Sequence, residues 1–555
     1  MQSLDYVVFL TYFAIVSSYG YWIYNQKRKL ETSSKDFFLA EGSLTWWAIG
    51  ASLIASNISA EQFIGMSGEG FFVGIAISVY EWIAAVSLII IAVYFMPVYL
   101  KNHIYTMPQF LTRRYNEGAA LIMAVLWVFL YVFVNLTSIL YLGSVAINGL
   151  IGGNSLHPIL LALAFFALII TIGGMKVIGY TDVIQVAVLI IGGLATTYYA
   201  LTIVADSFGV EGALGGFKAL MDYAPDHFHM IFDRPGPDTS QEDINKYLIM
   251  PGILMYVAGQ WIVNLNYWGC NQYITQRALG ANLNTARTGI LFAALLKLLM
   301  PVIVMLPGIA AFVLARHGDL PGLATKDGAY SAILGFLPSG LKGLSVAALT
   351  AAIVASLAGK ANSISTIFTL DIYKKYFNTG ASEAKLVWTG RITVVVAMVI
   401  AVFFTWSDFL GIGGEGGFTF IQKYTSYISP GVFAMFILGM FWPRTTGAAA
   451  IAGVFTGFIL SVLFNNYAPA WFGHETWLYT AYPNGDGGYE IPFLLCMALS
   501  FFFTVAVMVA MSMAGPKVNP KAFELDKEMF KINTASRILI ISILMILAAL
   551  YVKFW

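Results

Sequence analysis

Charge is what this chain has least of. Only 11% of its 555 residues are Asp, Glu, Lys or Arg, where a soluble domain carries about a quarter. With 59% hydrophobic residues and a mean hydropathy of +0.76, the composition is that of an all-α polytopic membrane protein. The signs nearly balance at a net charge of +1, which offers no basic footprint for nucleic acid. Cysteine is equally scarce. Cys270 and Cys496 both sit in apolar segments, which argues against a disulfide framework or a cysteine metal cluster. No hydrophilic stretch is long enough for a separate catalytic domain, and the longest, about Ala205 to Lys246, predicts an external loop. There is no nucleophile–base pair and no HExxH, so the expectation is not an enzyme. The first apolar stretch, Tyr6 to Tyr24, lacks a basic leader and a cleavage site, and is expected to be a retained helix.

What remains is hydrocarbon-length helix. A span needs roughly 20 apolar residues, and about fourteen segments meet that ruler: 4–24, 46–69, 72–99, 118–148, 157–174, 182–204, 248–273, 287–315, 334–371, 387–407, 417–442, 447–465, 490–513 and 535–555. With the N-terminus outside, the inner loops hold twenty basic residues, from Lys27 to Arg537, and the outer loops six, among them Lys218, Arg316 and Lys326. The excess of positive charge inside predicts that both termini lie outside.

Two of these segments are polar where lipid allows no polar backbone. Ala55-Ser56-Asn57-Ile58-Ser59-Ala60-Glu61-Gln62 interrupts one, and Asn264-Leu265-Asn266-Tyr267-Trp268-Gly269-Cys270-Asn271-Gln272 interrupts another about 200 residues on. Each opens a run of five spans, and five is odd, so the openers enter from opposite faces. Paired broken helices heading two inverted halves point to a midplane binding site in secondary transporters. The plainer alternative is two helices that happen to be polar.

Buried charges point the same way. Glu81 and Lys297 each interrupt an apolar span, and a lone midplane charge costs about 2.5–3.5 kcal/mol or more. The two make either a structural ion pair or, with the amides of Gln62, Asn135, Asn264 and Gln422, a mixed donor–acceptor lining suited to a polyol. For a sodium ion, oxygen ligands are available from unwound carbonyls near Ala55 and Ile58 and from the small-residue run Ala351 to Ser356, although that run also suits ordinary helix packing. Gly413-Gly414-Glu415-Gly416-Gly417-Phe418 lacks phosphate-loop spacing and is either a hinge or a plain turn. Phe418 and Tyr267 are candidate aromatic lids, with mere packing as the alternative.

Several ordered blocks, from Asp36-Phe37-Phe38-Leu39-Ala40 through Tyr80-Glu81-Trp82, Thr181-Asp182-Val183-Ile184-Gln185 and Thr369-Leu370-Asp371-Ile372-Tyr373 to Phe441-Trp442-Pro443-Arg444-Thr445-Thr446-Gly447, resemble the sodium/solute symporter family. The resemblance covers most of the chain and weakens after about residue 465. It implies a leucine-transporter fold with a five-plus-five inverted repeat: an extra N-terminal helix in 1–45, repeats at 46–205 and 248–442 around the loop 206–247, and added helices in 443–555. It implies solute contacts at Gln62, Glu81, Asn135, Asn264, Lys297 and Gln422. It further implies an inner gate at Tyr267 supported by Asn57, an outer gate at Met66, Tyr80 and Phe418, and sodium held at Ala55, Ile58, Ala352, Ala355 and Ser356. Asp182 matches an acidic position on the sodium exit path.

Two positions depart from the family pattern. Ala84 stands where a serine lies near the sugar, and Ala355 precedes Ser356 where the family has two adjacent hydroxyls. The implied activity is sodium-coupled uptake of a hexose across a bacterial inner membrane by alternating access. The alternatives are a family member for inositol, a sugar acid or an amino acid, and a sensor or passive sugar channel. Protons as the coupling ion stay open at this stage.

Overall fold

A chain in hydrocarbon must satisfy its own backbone hydrogen bonds, and here it does so almost wholly with helices. The computed structural model describes residues 2–28, 44–151, 155–172, 174–320, 323, 326–412 and 417–555. Gly413 to Gly416 of the glycine cluster and the Asp36 to Ala40 block lie outside the described residues. Among the described residues ten helices are long and apolar enough to cross a membrane, or twelve if each of two bent pairs is one span. That is fewer than the fourteen apolar segments of the sequence. The reason is local: Trp46–Asn57 breaks after 12 residues and His157–Ile172 runs for only 16. The strands described are Tyr482–Pro483 and Tyr489–Glu490, an antiparallel pair in the hydrophilic stretch before Phe493.

The helices gather into two compact units, each assembled from three separate stretches of chain. The first comprises Met1–Ser78, Ala124–Phe228 and Gln276–Ile421. Its central span, Leu341–Phe377, is 83% buried, whereas the N-terminal Ser3–Ile23 is only 22% buried and is therefore peripheral. Asp5 fastens that peripheral helix: its Oδ1 accepts from the Gly340 N–H at 2.7 Å and the Gly343 N–H at 3.1 Å. A carboxylate there meets the positive end of the Leu341–Thr366 helix. Trp46–Asn57 packs on Leu283–His317 through Gly50 and Gly289. A Cβ on either would come within 2.8 Å of backbone oxygen across the contact, so small residues set this close approach.

The second unit comprises Val79–Met123, His229–Thr275 and Gln422–Trp555. Its most demanding polar group is Arg114, fully buried. The guanidinium donates to the Gly439, Thr445 and Trp442 carbonyls at 2.7, 3.0 and 3.1 Å, capping the end of Ser429–Phe441 with a cation on the negative pole of the helix. The Trp442-Pro443-Arg444-Thr445 turn supplies two of those three carbonyls.

Three π-helical turns interrupt the spans of the first unit and its edge: Glu61–Met66, Leu130–Leu136 and Ile367–Phe377. Such turns mark functional places in helices. The first carries Gln62 and Met66, the second Asn135.

Candidate functional site

The first polar run is a true break. Trp46–Asn57 ends where Ile58 turns extended, at φ −78° and ψ 111°. In a continuous helix the Ser59 N–H would aim at the Ala55 carbonyl. It donates instead to Gln62 Oε1 at 3.0 Å, and the Ser59 hydroxyl reaches the same oxygen at 3.3 Å. Ser59 Oγ in turn accepts from the Glu61 N–H at 3.1 Å. Gln62 is therefore a splint at the start of the helix that follows the break, and its amide nitrogen takes no part in those bonds.

The five residues expected around sodium all belong to the first unit and are all buried. Ser356, on the Leu341–Thr366 helix, donates its hydroxyl to the Ser56 carbonyl at 3.0 Å. Ala55 and Ile58 flank that carbonyl, while Ala352 and Ala355 sit beside Ser356 on one helix. The bond joins the last turn of the broken helix to the facing helix. Asp182, on the Gly174–Ser207 helix, accepts from Ser52 Oγ at 2.6 Å and faces Arg277 at 3.7 Å.

Lys297, buried within Leu283–His317, donates to Asn57 Oδ1. The partner is on the last turn of the broken helix, one residue before the break. Met66 is fully buried and Asn135 is buried on its π-helical turn. Phe418 lies against Gly65, where a Cβ would come within 2.7 Å of the Phe418 Cβ. Only a residue without a side chain at 65 lets the ring seat so closely.

In the second unit Tyr80, Glu81 and Ala84 are buried on Val79–Ile90. Asn264 and Tyr267 lie on Gln260–Cys270. Asn264 donates its amide to the Gln260 carbonyl of its own helix at 3.0 Å, and the Tyr267 ring stands edge-on to Trp268 at 5.3 Å. This span is interrupted twice. It bends by 78° between Gln241–Val257 and Gln260–Cys270, upstream of the polar stretch, and turns extended again at Asn271. Gln422 is half-buried on Gly417–Ser426, which meets Ser429–Phe441 at 53°.

Comparison with known proteins decides the family. Residues 37–457 match the family model described as sodium:solute symporter family. This chain is a sodium:solute symporter. It is 42% identical, over 100% of its length and 99% of the relative's, to the sodium/glucose cotransporter of Vibrio parahaemolyticus. It is 34% identical, over 83% of its length and 69% of the relative's, to the human sodium/myo-inositol cotransporter 2. Among solved structures it is similar to a substrate-bound, outward-open sodium-coupled sialic acid symporter, with a TM-score of 0.76, 18% identity, and 93% and 99% of the two chains covered. The fold is thus that of the leucine-transporter group. Members of the family are transporters, and the symporter is a multi-pass membrane protein whose partners are sodium and a small solute.

Sequence reasoning missed one buried pair in the symporter's first unit. Glu61 and Lys360 lie 299 residues apart and meet at 3.0 Å, both nearly inaccessible. Only the oddity of a lysine within the apolar Ala351 to Ile364 run signalled it. A second group that no motif flagged is Glu69, Lys326 and Asp327 near Phe418.

Proposed function

We propose that the symporter carries a hexose into the cell, driven by sodium and by alternating access. The observation that carries this reading is the junction of Ser356 with the Ser56 carbonyl, beside a helix break whose neighbours match the family's ion ligands. Sodium at Ala55, Ile58, Ala352, Ala355 and Ser356 binds a geometry in which the two helices are clamped, so it favours one conformation and can be coupled to another ligand. The 42% identity to a sodium/glucose cotransporter over the whole chain supports the solute.

In this reading Gln62, Glu81, Asn135, Asn264, Lys297 and Gln422 bind the hydroxyls. Gln62 offers its amide nitrogen, since its oxygen holds Ser59. Lys297 exchanges or shares Asn57 when solute arrives. Met66, Tyr80 and Phe418 close from outside, Tyr267 with Asn57 from inside, and Asp182 with Arg277 lies along the ion's way out. The two five-span halves begin near residues 46 and 248, both termini lie outside, and the membrane is a bacterial inner membrane. No cofactor beyond the coupling ion enters the scheme.

Myo-inositol is the second reading, favoured by the 34% identity to the human myo-inositol cotransporter. Both solutes are rings of hydroxyls, and Ala84 removes one family contact. Uptake of labelled glucose, galactose and myo-inositol into proteoliposomes under a sodium gradient separates them. Competition by hexoses but not by myo-inositol supports the first reading, and the reverse replaces it.

A further inference from the structure

The carboxylates of Glu69 and Asp327 flank Gly68 at the base of the helix that bears Phe418. Glu69 is fully buried on Ser67–Val73. Its Oε1 accepts from Lys326 Nζ and from Thr419 Oγ1, each at 2.6 Å. Asp327, buried on the short Lys326–Gly328 turn, accepts the Gly417 N–H on Oδ2 at 3.0 Å. Residues 417 and 419 bracket Phe418, so the two acids hold the gate residue from both sides. Among the described residues each acid keeps one buried oxygen with no hydrogen-bond partner, Glu69 Oε2 and Asp327 Oδ1, and the latter lies 3.0 Å from where a Gly68 Cβ would stand.

Among the described residues the two buried carboxylates face one lysine, Lys326, leaving a net negative charge where charge is costly. A proton relieves it and gives an orphaned oxygen a hydrogen to donate. We propose that Asp327, beside the buried Glu69, is a proton-binding site that keeps Phe418 seated on Gly65 when the outer solution is acidic. This rests on the reading of Phe418 as an outer-gate residue and of the loop after His317 as facing outward. It goes beyond that reading by adding a second ion, one that regulates rather than drives.

The electrostatics agree with the geometry. Burial, with the Glu69 charge adding to it, pushes the Asp327 carboxyl up to about 6 from its ordinary 3.8, although the Gly417 N–H and Lys326 pull it down. Around it, Lys326 shares its turn, Glu69 faces it from Ser67–Val73, and Tyr141 and Tyr330 stand on Thr137–Ile151 and Ala329–Gly335. On the Glu61–Met66 turn, Glu61 is engaged by Lys360. An ordinary phenol ionises near pH 10, and burial raises that of Tyr330 further. A group whose pKa is raised in the seated arrangement favours that arrangement when protonated. The preference is complete below about 3.8 and fades as pH rises through about 6, a span of roughly 100-fold in the gate equilibrium.

The test is solute uptake by the full-length protein in sodium-loaded assays with internal pH clamped and external pH stepped through 6. Uptake by the wild type falls as the outside is acidified, and Asp327→Asn removes the bend. Glu69→Gln moves the midpoint to lower pH and Lys326→Met moves it to higher pH, opposite shifts that a merely structural role would not produce. A wild-type profile without a bend, or a bend that none of the three variants moves, overturns the proposal. Infrared titration of the detergent-solubilised protein reads the same site without transport. The wild type gains a carboxylic-acid carbonyl band on acidification that Asp327→Asn lacks, and identical spectra in the two overturn the proposal. Absence of uptake at every pH, with that band present, would count against the transport reading alone.

Discussion

The Ser59 N–H donates to Gln62 Oε1 at 3.0 Å immediately after the break at Ile58. A residue assigned to the solute in the proposed scheme therefore also caps the backbone that leaves the break. In that scheme solute and sodium are coupled through the two ends of one amide.

That dual role gives a split between two substitutions. Gln62→Ala removes both the splint and the solute donor, so it raises the sodium and the solute concentrations needed for half-maximal uptake. Gln62→Glu keeps an oxygen for Ser59 and loses the amide nitrogen. It weakens solute binding while leaving sodium dependence within about twofold, since the retained backbone bond is worth roughly 0.5–1.5 kcal/mol. Sodium titrations of uptake in both variants check this, and equal sodium shifts in the two would contradict it.

In the proposed ion site Ala355 leaves one hydroxyl fewer than the family pattern, and Ser356 donates to the Ser56 carbonyl at 3.0 Å. Ala355→Ser supplies another hard oxygen at a buried position. The half-maximal sodium concentration should fall by roughly two- to tenfold, the range of one hydrogen-bond-sized contact. No change, or a rise, would remove this position from the ion site.

Glu61 and Lys360 meet at 3.0 Å with 9% and 4% of their side chains exposed. Truncating either alone strands a buried charge and should cost about 3–5 kcal/mol. The pair Glu61→Leu with Lys360→Met should recover most of that loss. Thermal unfolding in detergent measures the stability cycle. Additive losses in the double variant would show that the two side chains are not paired.

The break at Ile58 was legible because serines and an asparagine in an apolar span must face a cavity, an ion or another helix. The residues expected around sodium came from the family resemblance, because small residues and one hydroxyl also suit ordinary helix packing. The second break was read in the right span but placed at its polar stretch. The sharper bend falls at Ala258 and Gly259, where only a lone glycine marks it in sequence. Pairings across hundreds of residues, such as Glu61 with Lys360 and Glu69 with Lys326, are invisible to spacing because the fold alone brings them together. The count of spans exceeded the count of long helices because a broken helix and a 16-residue helix look like full spans when only hydropathy is read.

The central claim is that sodium, bound between the Ile58 break and Ser356, drives solute uphill. Proteoliposomes loaded with potassium and placed in sodium, then in potassium with an imposed proton gradient, test it with labelled hexose. Accumulation above equilibrium in sodium alone is expected, with Ser356→Ala needing several-fold more sodium to reach half its rate. Equal accumulation under the proton gradient, or a Ser356→Ala sodium dependence unchanged from wild type, would contradict the account.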